Sequence, residues 1–179
     1  TSVIREYGWD CNSLTEDMEF SMKLLTHGVR SCWAHDAIVY DEKVTTMMAS
    51  CRQRLRWAQG QFDCAGRYIP KLFAIGIKTG NLMILDGIFQ VSQPYFLLMT
   101  TIYLVLSYIN AYILYQILPM SVWTIIGVGQ YLFPLVVLLK IKVPPKIWFY
   151  YLLYPLFVYS WIPVNILGFF RRHNKVWSH

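Results

Sequence analysis

The chain has 179 residues, 56% of them hydrophobic, and a formal net charge of +6. The apolar residues gather after about residue 80, where the only acid is Asp86 and the bases form two clusters, Lys140/Lys142/Lys146 and Arg171/Arg172/Lys175. Bases that flank apolar segments suit anionic headgroups on the cytoplasmic side of a bilayer, and they exclude the continuous basic stripe of a nucleic-acid binder.

The first predicted element is a helix over residues 15–27. Leu14, Met18, Met22 and Leu25 recur at helical spacing, and Gly28 stands where a C-terminal cap belongs. Ser13 and Glu16 have capping-box spacing, while Glu16, Asp17 and Glu19 face the positive end of the helix dipole. Residues 29–41 are rich in Val, Ile, Tyr and Trp, alternate in part through Val29, Ser31 and Trp33, and predict one or two strands. Thr45 or Thr46 then caps a long helix to about Phe62. Gln53, Arg56, Trp57 and Gly60 share one face of it, an amide, a guanidinium, an indole and a gap. Met48, Cys51, Leu55, Ala58 and Phe62 line an apolar face, and Arg52 and Arg54 point elsewhere, toward solvent or lipid headgroups.

Residues 68–93 mix Pro70, Lys71, Lys78 and Asp86 with apolar side chains, as in a helix lying in a membrane interface. Residues 94–118 and 120–139 are each long and apolar enough to span, joined by a charge-free turn at Pro119. Residues 147–170 form a third candidate, bent or broken by Pro155 and Pro163. Three simple crossings would place the lysine loop and the arginine tail on opposite sides, so the number of crossings stays open. The aromatics Trp123, Tyr131, Trp148, Tyr150, Tyr151, Tyr154, Tyr159 and Trp161 fit either an interfacial belt or a sugar-stacking channel. Cys11, Cys32, Cys51 and Cys64 lack zinc-ligand spacing and read as reduced thiols of a cytosolic domain.

Taken alone, Thr15-Glu16-Asp17 is an ordinary set of helix-start acids, and Arg56-Trp57 suits interfacial anchoring. Their order changes the reading. An acid triplet at a helix start, Gln53-x-x-Arg56-Trp57 about forty residues on, and then apolar spans together resemble the processive, membrane-embedded family 2 glycosyltransferases, such as hyaluronan, chitin, cellulose and poly-N-acetylglucosamine synthases. The resemblance covers nearly the whole chain, including Phe169-Phe170-Arg171-Arg172 followed by Trp177, and makes it the C-terminal part of such an enzyme. It implies an α/β fold: the end of a GT-A-like, Rossmann-related domain over residues 1–66, interfacial helices over 67–93, a transmembrane helical region over 94–170, and a basic cytosolic tail over 171–179.

The resemblance also assigns roles. Asp17 is the catalytic base with Glu16 beside it, and Gln53, Arg56 and Trp57 hold the acceptor end and the donor diphosphate. The implied reaction moves hexosyl or N-acetylhexosaminyl units from a UDP-sugar to a polysaccharide or glycolipid acceptor, with inversion, at the plasma membrane with the catalytic part in the cytoplasm. Mg2+ or Mn2+ is the implied cofactor. The family's D-x-D motif does not occur in this sequence, so the metal ligands are expected upstream and the fragment is not expected to work alone. Asp10, Asp36, Asp41 and Glu42 read as loop or strand-end acids, and His27 and His35 as structural or surface residues. Two alternatives remain: a single-addition glycolipid synthase resembling glucosylceramide synthases, and a non-enzymatic membrane protein such as a transporter subunit.

Overall fold

The computed structural model describes residues 2–109, 120–141 and 143–174, and among these the regular structure is entirely helical. In chain order the helices are α1 (Ser2–Tyr7), α2 (Glu16–Thr26), α3 (Met47–Thr79), α4 (Leu82–Val91), α5 (Gln93–Ile109), α6 (Met120–Ile141), α7 (Pro145–Tyr151), α8 (Tyr154–Tyr159) and α9 (Trp161–Phe170). They divide into two units, Thr1–Leu98 with Pro163–His179, and Met99–Ile162.

The α/β expectation is overturned, because no strand occurs among the described residues. Residues 29–41, expected as strands, are irregular, and Trp33 and Tyr40 are 87% and 94% exposed, so neither lies on a sheet face. The physical reason is partnership. Branched and aromatic residues favour a strand only where a neighbouring strand takes their backbone hydrogen bonds and a packed face takes their side chains.

In the first unit α3 is the organising element. Thr46 caps it, its hydroxyl accepting from the Ala49 N–H at 3.2 Å. The helix does not stop near Phe62 but continues to Thr79, because Ala65, Tyr68, Leu72 and Gly76 prolong a buried stripe at spacings of three and four. Gly80, at φ 63°, ends it in a left-handed conformation, and Asn81 at once caps α4 by accepting from the Met83 N–H at 3.0 Å. Residues 67–93, expected to hold interfacial helices, thus contain the end of α3 and all of α4, folded into a helical hairpin at Gly80. Its core joins Met22 and Leu25 of α2 to Cys64, Tyr68 and Leu72 of α3 and Ile84 and Val91 of α4.

The start of α2 differs from the expected capping box. Thr15 is the N-cap and its side chain makes no cap bond. The backbone N–H groups of Asn12 and Ser13 donate instead to Glu19 Oε2, at 2.8 and 2.6 Å. Glu19 Oε1 accepts from Arg67 Nη1 at 2.5 Å, and Arg67 Nη2 reaches Asp63 Oδ2 at 2.8 Å. Glu19 is thus buried and pins α2 and the preceding loop to α3. Helix α9 seats on α3 as well: Gly168 lies against Ala58, Phe169 meets Phe62 edge-on at 5.4 Å, and Gln59 Nε2 donates to the Arg171 carbonyl at 3.0 Å. Arg54, expected to face solvent or headgroups, is buried, and its Nε donates to the Ser50 carbonyl at 3.3 Å.

The second unit turns its apolar side chains outward: Ile125, Phe133, Leu139, Phe149, Leu152 and Leu156 are all exposed. Pro155 and Pro163 lie in the first turns of α8 and α9, and the segment expected to be bent or broken by prolines is divided into three helices. Among the described residues no single helix is long and apolar enough to cross a membrane, whereas two bent pairs pass that test by length and composition: Leu82–Val91 with Gln93–Tyr103, bent by 49°, and Pro145–Tyr151 with Tyr154–Phe170, bent by 52°. The turn expected at Pro119, Lys142, Lys175, Trp177 and the side chains of Trp123 and Tyr131 lie outside the described residues.

The Glu19 network gives the fold a defined response to acid. Burial opposes the charge on Glu19, but the Arg67 guanidinium and the Ser13 and Asn12 N–H groups outweigh it and hold the carboxyl below its ordinary value. A depressed carboxyl stabilises the fold above its unfolded value near 4.5 and ceases to do so as pH falls through the lower folded value. Replacing Glu19→Gln is expected to cost about 2 kcal/mol near neutral pH, the scale of hydrogen bonds to a buried charge. Thermal midpoints measured from pH 7 to pH 3 should drop below about pH 4.5, and the difference between parent and variant should shrink over the same range.

Candidate active site

Helix α3 brings its motif residues to the start of α2 by a close approach. Thr15, first residue of the Thr-Glu-Asp triplet, sits in the gap left by Gly60: a methyl group at Gly60 would lie 2.6 Å from Thr15 Oγ1 and 2.7 Å from the Thr15 nitrogen. Around this contact Ser13 Oγ donates to the Gly60 carbonyl at 3.2 Å, and Thr15 Oγ1 lies 3.7 Å from Cys64 Sγ. Arg56 Nη1 donates to the Leu14 carbonyl at 3.4 Å, joining the guanidinium of the second motif to the residue preceding the first.

The consequence is a cavity of about 520 Å³ with both motifs in its wall. Glu16, Asp17, Arg56 and Trp57 line it, while Gln53, one turn earlier on α3, does not. Ser21, Gln61 and Gln90 add polar groups that the sequence did not single out. Leu14, Met18, Met22 and Val91 supply apolar surface. Gln61 had a signal, since it lies four residues after Trp57 on the same helical face. Gln90 had none, because only the packing of α4 brings it here.

Asp17 and Glu16 are exposed. Asp17 Oδ1 accepts from the Met18 N–H at 2.7 Å, which fixes one carboxylate oxygen and leaves Oδ2 for a ligand. Ser21 Oγ donates to the Asp17 carbonyl at 2.9 Å and ties that turn of α2. Trp57 is 37% exposed, enough to offer one ring face. The arrangement supplies what transfer to a sugar hydroxyl needs: a carboxylate to take a proton, a guanidinium with bidentate geometry for phosphate oxygens, and an aromatic face for a pyranose ring.

Among the described residues no three His, Cys, Asp or Glu side chains are placed to hold a metal ion. The expected Mg2+ or Mn2+ therefore has no ligand set in the described part of the chain. A second cavity, of about 580 Å³, contains none of the motif residues, and its charges are largely paired: Lys23 with Asp10, and Arg67 with Glu19 and Asp63. His27 packs its ring against Tyr7 at 5.1 Å, and His35 is exposed. The four cysteines are free, and burial pushes the Cys64 thiol above its ordinary value.

A family model described as glycosyl transferase family group 2 matches residues 1–162. The chain belongs to that family. It is a family 2 glycosyltransferase, acting on a nucleotide-sugar donor and an acceptor. No curated protein and no solved structure matches it.

In this glycosyltransferase Gly60 is the residue whose replacement tests the site's construction. Gly60→Ala forces a methyl group against the Thr15 backbone, and overpacking of this kind costs about 1–3 kcal/mol. Activity should fall with it, because the start of α2 forms part of the cavity wall. The thermal midpoint and the transfer rate of the Gly60→Ala enzyme check this, and Thr15→Ser, which keeps the hydroxyl and removes the γ-methyl, should restore part of both.

Proposed function

We propose that this glycosyltransferase is a membrane-embedded, processive enzyme that moves hexosyl or N-acetylhexosaminyl units from a UDP-sugar to a growing β-linked polysaccharide. The single observation that carries the proposal is the shared cavity of Asp17, Glu16, Arg56 and Trp57. An acceptor hydroxyl attacks the anomeric carbon while the carbon–oxygen bond to the diphosphate breaks. The hydroxyl proton passes to Asp17, UDP leaves with the bonding electron pair, and attack opposite the leaving group inverts the centre. Arg56 stabilises the negative charge that develops on the diphosphate, as a planar donor fork does better than a lysine. Trp57 stacks on the terminal sugar and keeps the chain in place for the next addition.

A bilayer setting, with the catalytic part in the cytoplasm of a multi-pass plasma-membrane protein, is supported by three features. These are the outward apolar side chains of Met99–Ile162, the two bent helix pairs, and the basic clusters beside the apolar segments.

The test is Asp17→Asn in membranes carrying the full-length enzyme. Transfer should fall about 10²- to 10⁴-fold, the contribution of a positioned general base, while UDP-sugar binding is retained. Parental rates in the variant would remove Asp17 as base. Product size decides processivity: a ladder of polymer lengths supports it, and one glycolipid band overturns it in favour of single addition.

A further inference from the structure

Two amides in the cavity are not accounted for by the transfer chemistry. Gln90, in the last turn of α4, donates through Nε2 to Asp86 Oδ2 at 2.8 Å. Both side chains are exposed; because a carboxylate only accepts, this bond turns the amide nitrogen toward Asp86 and leaves the Gln90 carbonyl oxygen for a donor. Asp86 is also the only acid after residue 80. Gln61, half-buried on α3 one turn after Trp57, keeps both a donor and an acceptor. Both side chains line the cavity that holds Asp17 and the exposed ring of Trp57.

A sugar ring has two kinds of surface. Its C–H face packs on an indole, and its equatorial edge carries hydroxyl groups that both donate and accept. Planar amides suit such an edge, because each offers a donor and an acceptor in one plane. They also bring no charge that would compete with Arg56 for phosphate oxygens.

We infer that Gln90, oriented by Asp86, and Gln61 read the equatorial edge of the acceptor sugar stacked on Trp57, and so set how well the enzyme distinguishes its acceptor from water. The inference rests on the cavity being the acceptor site proposed above. Gln90 Oε1 accepts from a ring O–H or an acetamido N–H, and Gln61 completes the pair. Asp86 is a positioning residue, acting only through Gln90.

The test measures, in membranes carrying the full-length enzyme and the UDP-sugar it turns over, how much donor sugar is transferred and how much is released as free sugar. Gln90→Ala and Gln61→Ala should each raise the ratio of released to transferred sugar about tenfold, the loss expected for one hydrogen bond to a bound ligand. The donor KM should stay within about twofold of the parent, because neither amide is assigned to the diphosphate. Asp86→Asn, whose amide permits either orientation of Gln90, should raise the same ratio by a smaller factor. A fold defect would move donor KM and thermal midpoint together; a change in the partition alone would not come from one. An unchanged ratio in both glutamine variants overturns the inference. Asp17→Asn run alongside separates the two proposals: its loss of transfer with an unchanged ratio in the glutamine variants removes only the acceptor-reading pair, whereas retained transfer removes the base assignment itself.

Discussion

The cavity between α2 and α3 depends on how closely these helices can approach, and that distance is set by the absence of a side chain at Gly60. Thr15 fills the gap. From there the two helices are joined along matching stripes: Thr15 meets Gly60 and Cys64, and Glu19, one turn on, meets Arg67. Positions 60, 64 and 67 fall on one face of α3, and 15 and 19 on one face of α2, so each contact sets the register for the next. A side chain at position 60 would push the start of α2 outward, and the carboxylates that follow Thr15 would move with it.

The same geometry separates buried, paired charge from exposed charge. Glu19 is consumed by the fold, held by Arg67 and two backbone N–H groups in a buried site where an unpaired carboxylate would be costly. Glu16 and Asp17, rotated away from that stripe, stay exposed in the cavity wall. Three acids within four residues thus meet two environments, decided by which side of α2 meets α3.

Helix α3 is also braced by α9. Ala58, Gln59 and Phe62 are buried, with Gly168, the Arg171 carbonyl and Phe169 as their respective contacts, and Tyr95 of α5 joins the aromatic cluster at 5.2 Å from Phe62. The faces of α3 toward α2, α4 and α9 are covered, and Arg56, Trp57 and Gln61 remain on the cavity side. A long helix packed against three others is a favourable support for a site, because its side chains inherit the helix's position instead of a loop's mobility.

The sequence by itself determined the helix that carries the acids, a cap at Thr45 or Thr46, the shared face of Arg56 and Trp57, and the family, because helical periodicity and short motifs are written in local spacing. It also marked Gly60 as a gap, without saying what fills it. It misjudged residues 29–41, whose strand-like composition needs a neighbouring strand to become a strand. It ended α3 too early, and it treated Glu19 as a dipole acid and Arg54 as a surface residue. Tertiary structure alone decided those points, and it alone brought Gln90 into the cavity and left Gln53 outside. The physical reason is that burial, ion pairing and cavity walls are made by residues far apart in the chain, such as Glu19 with Arg67 or Gln59 with Arg171, and local spacing carries no record of which distant face a side chain will meet.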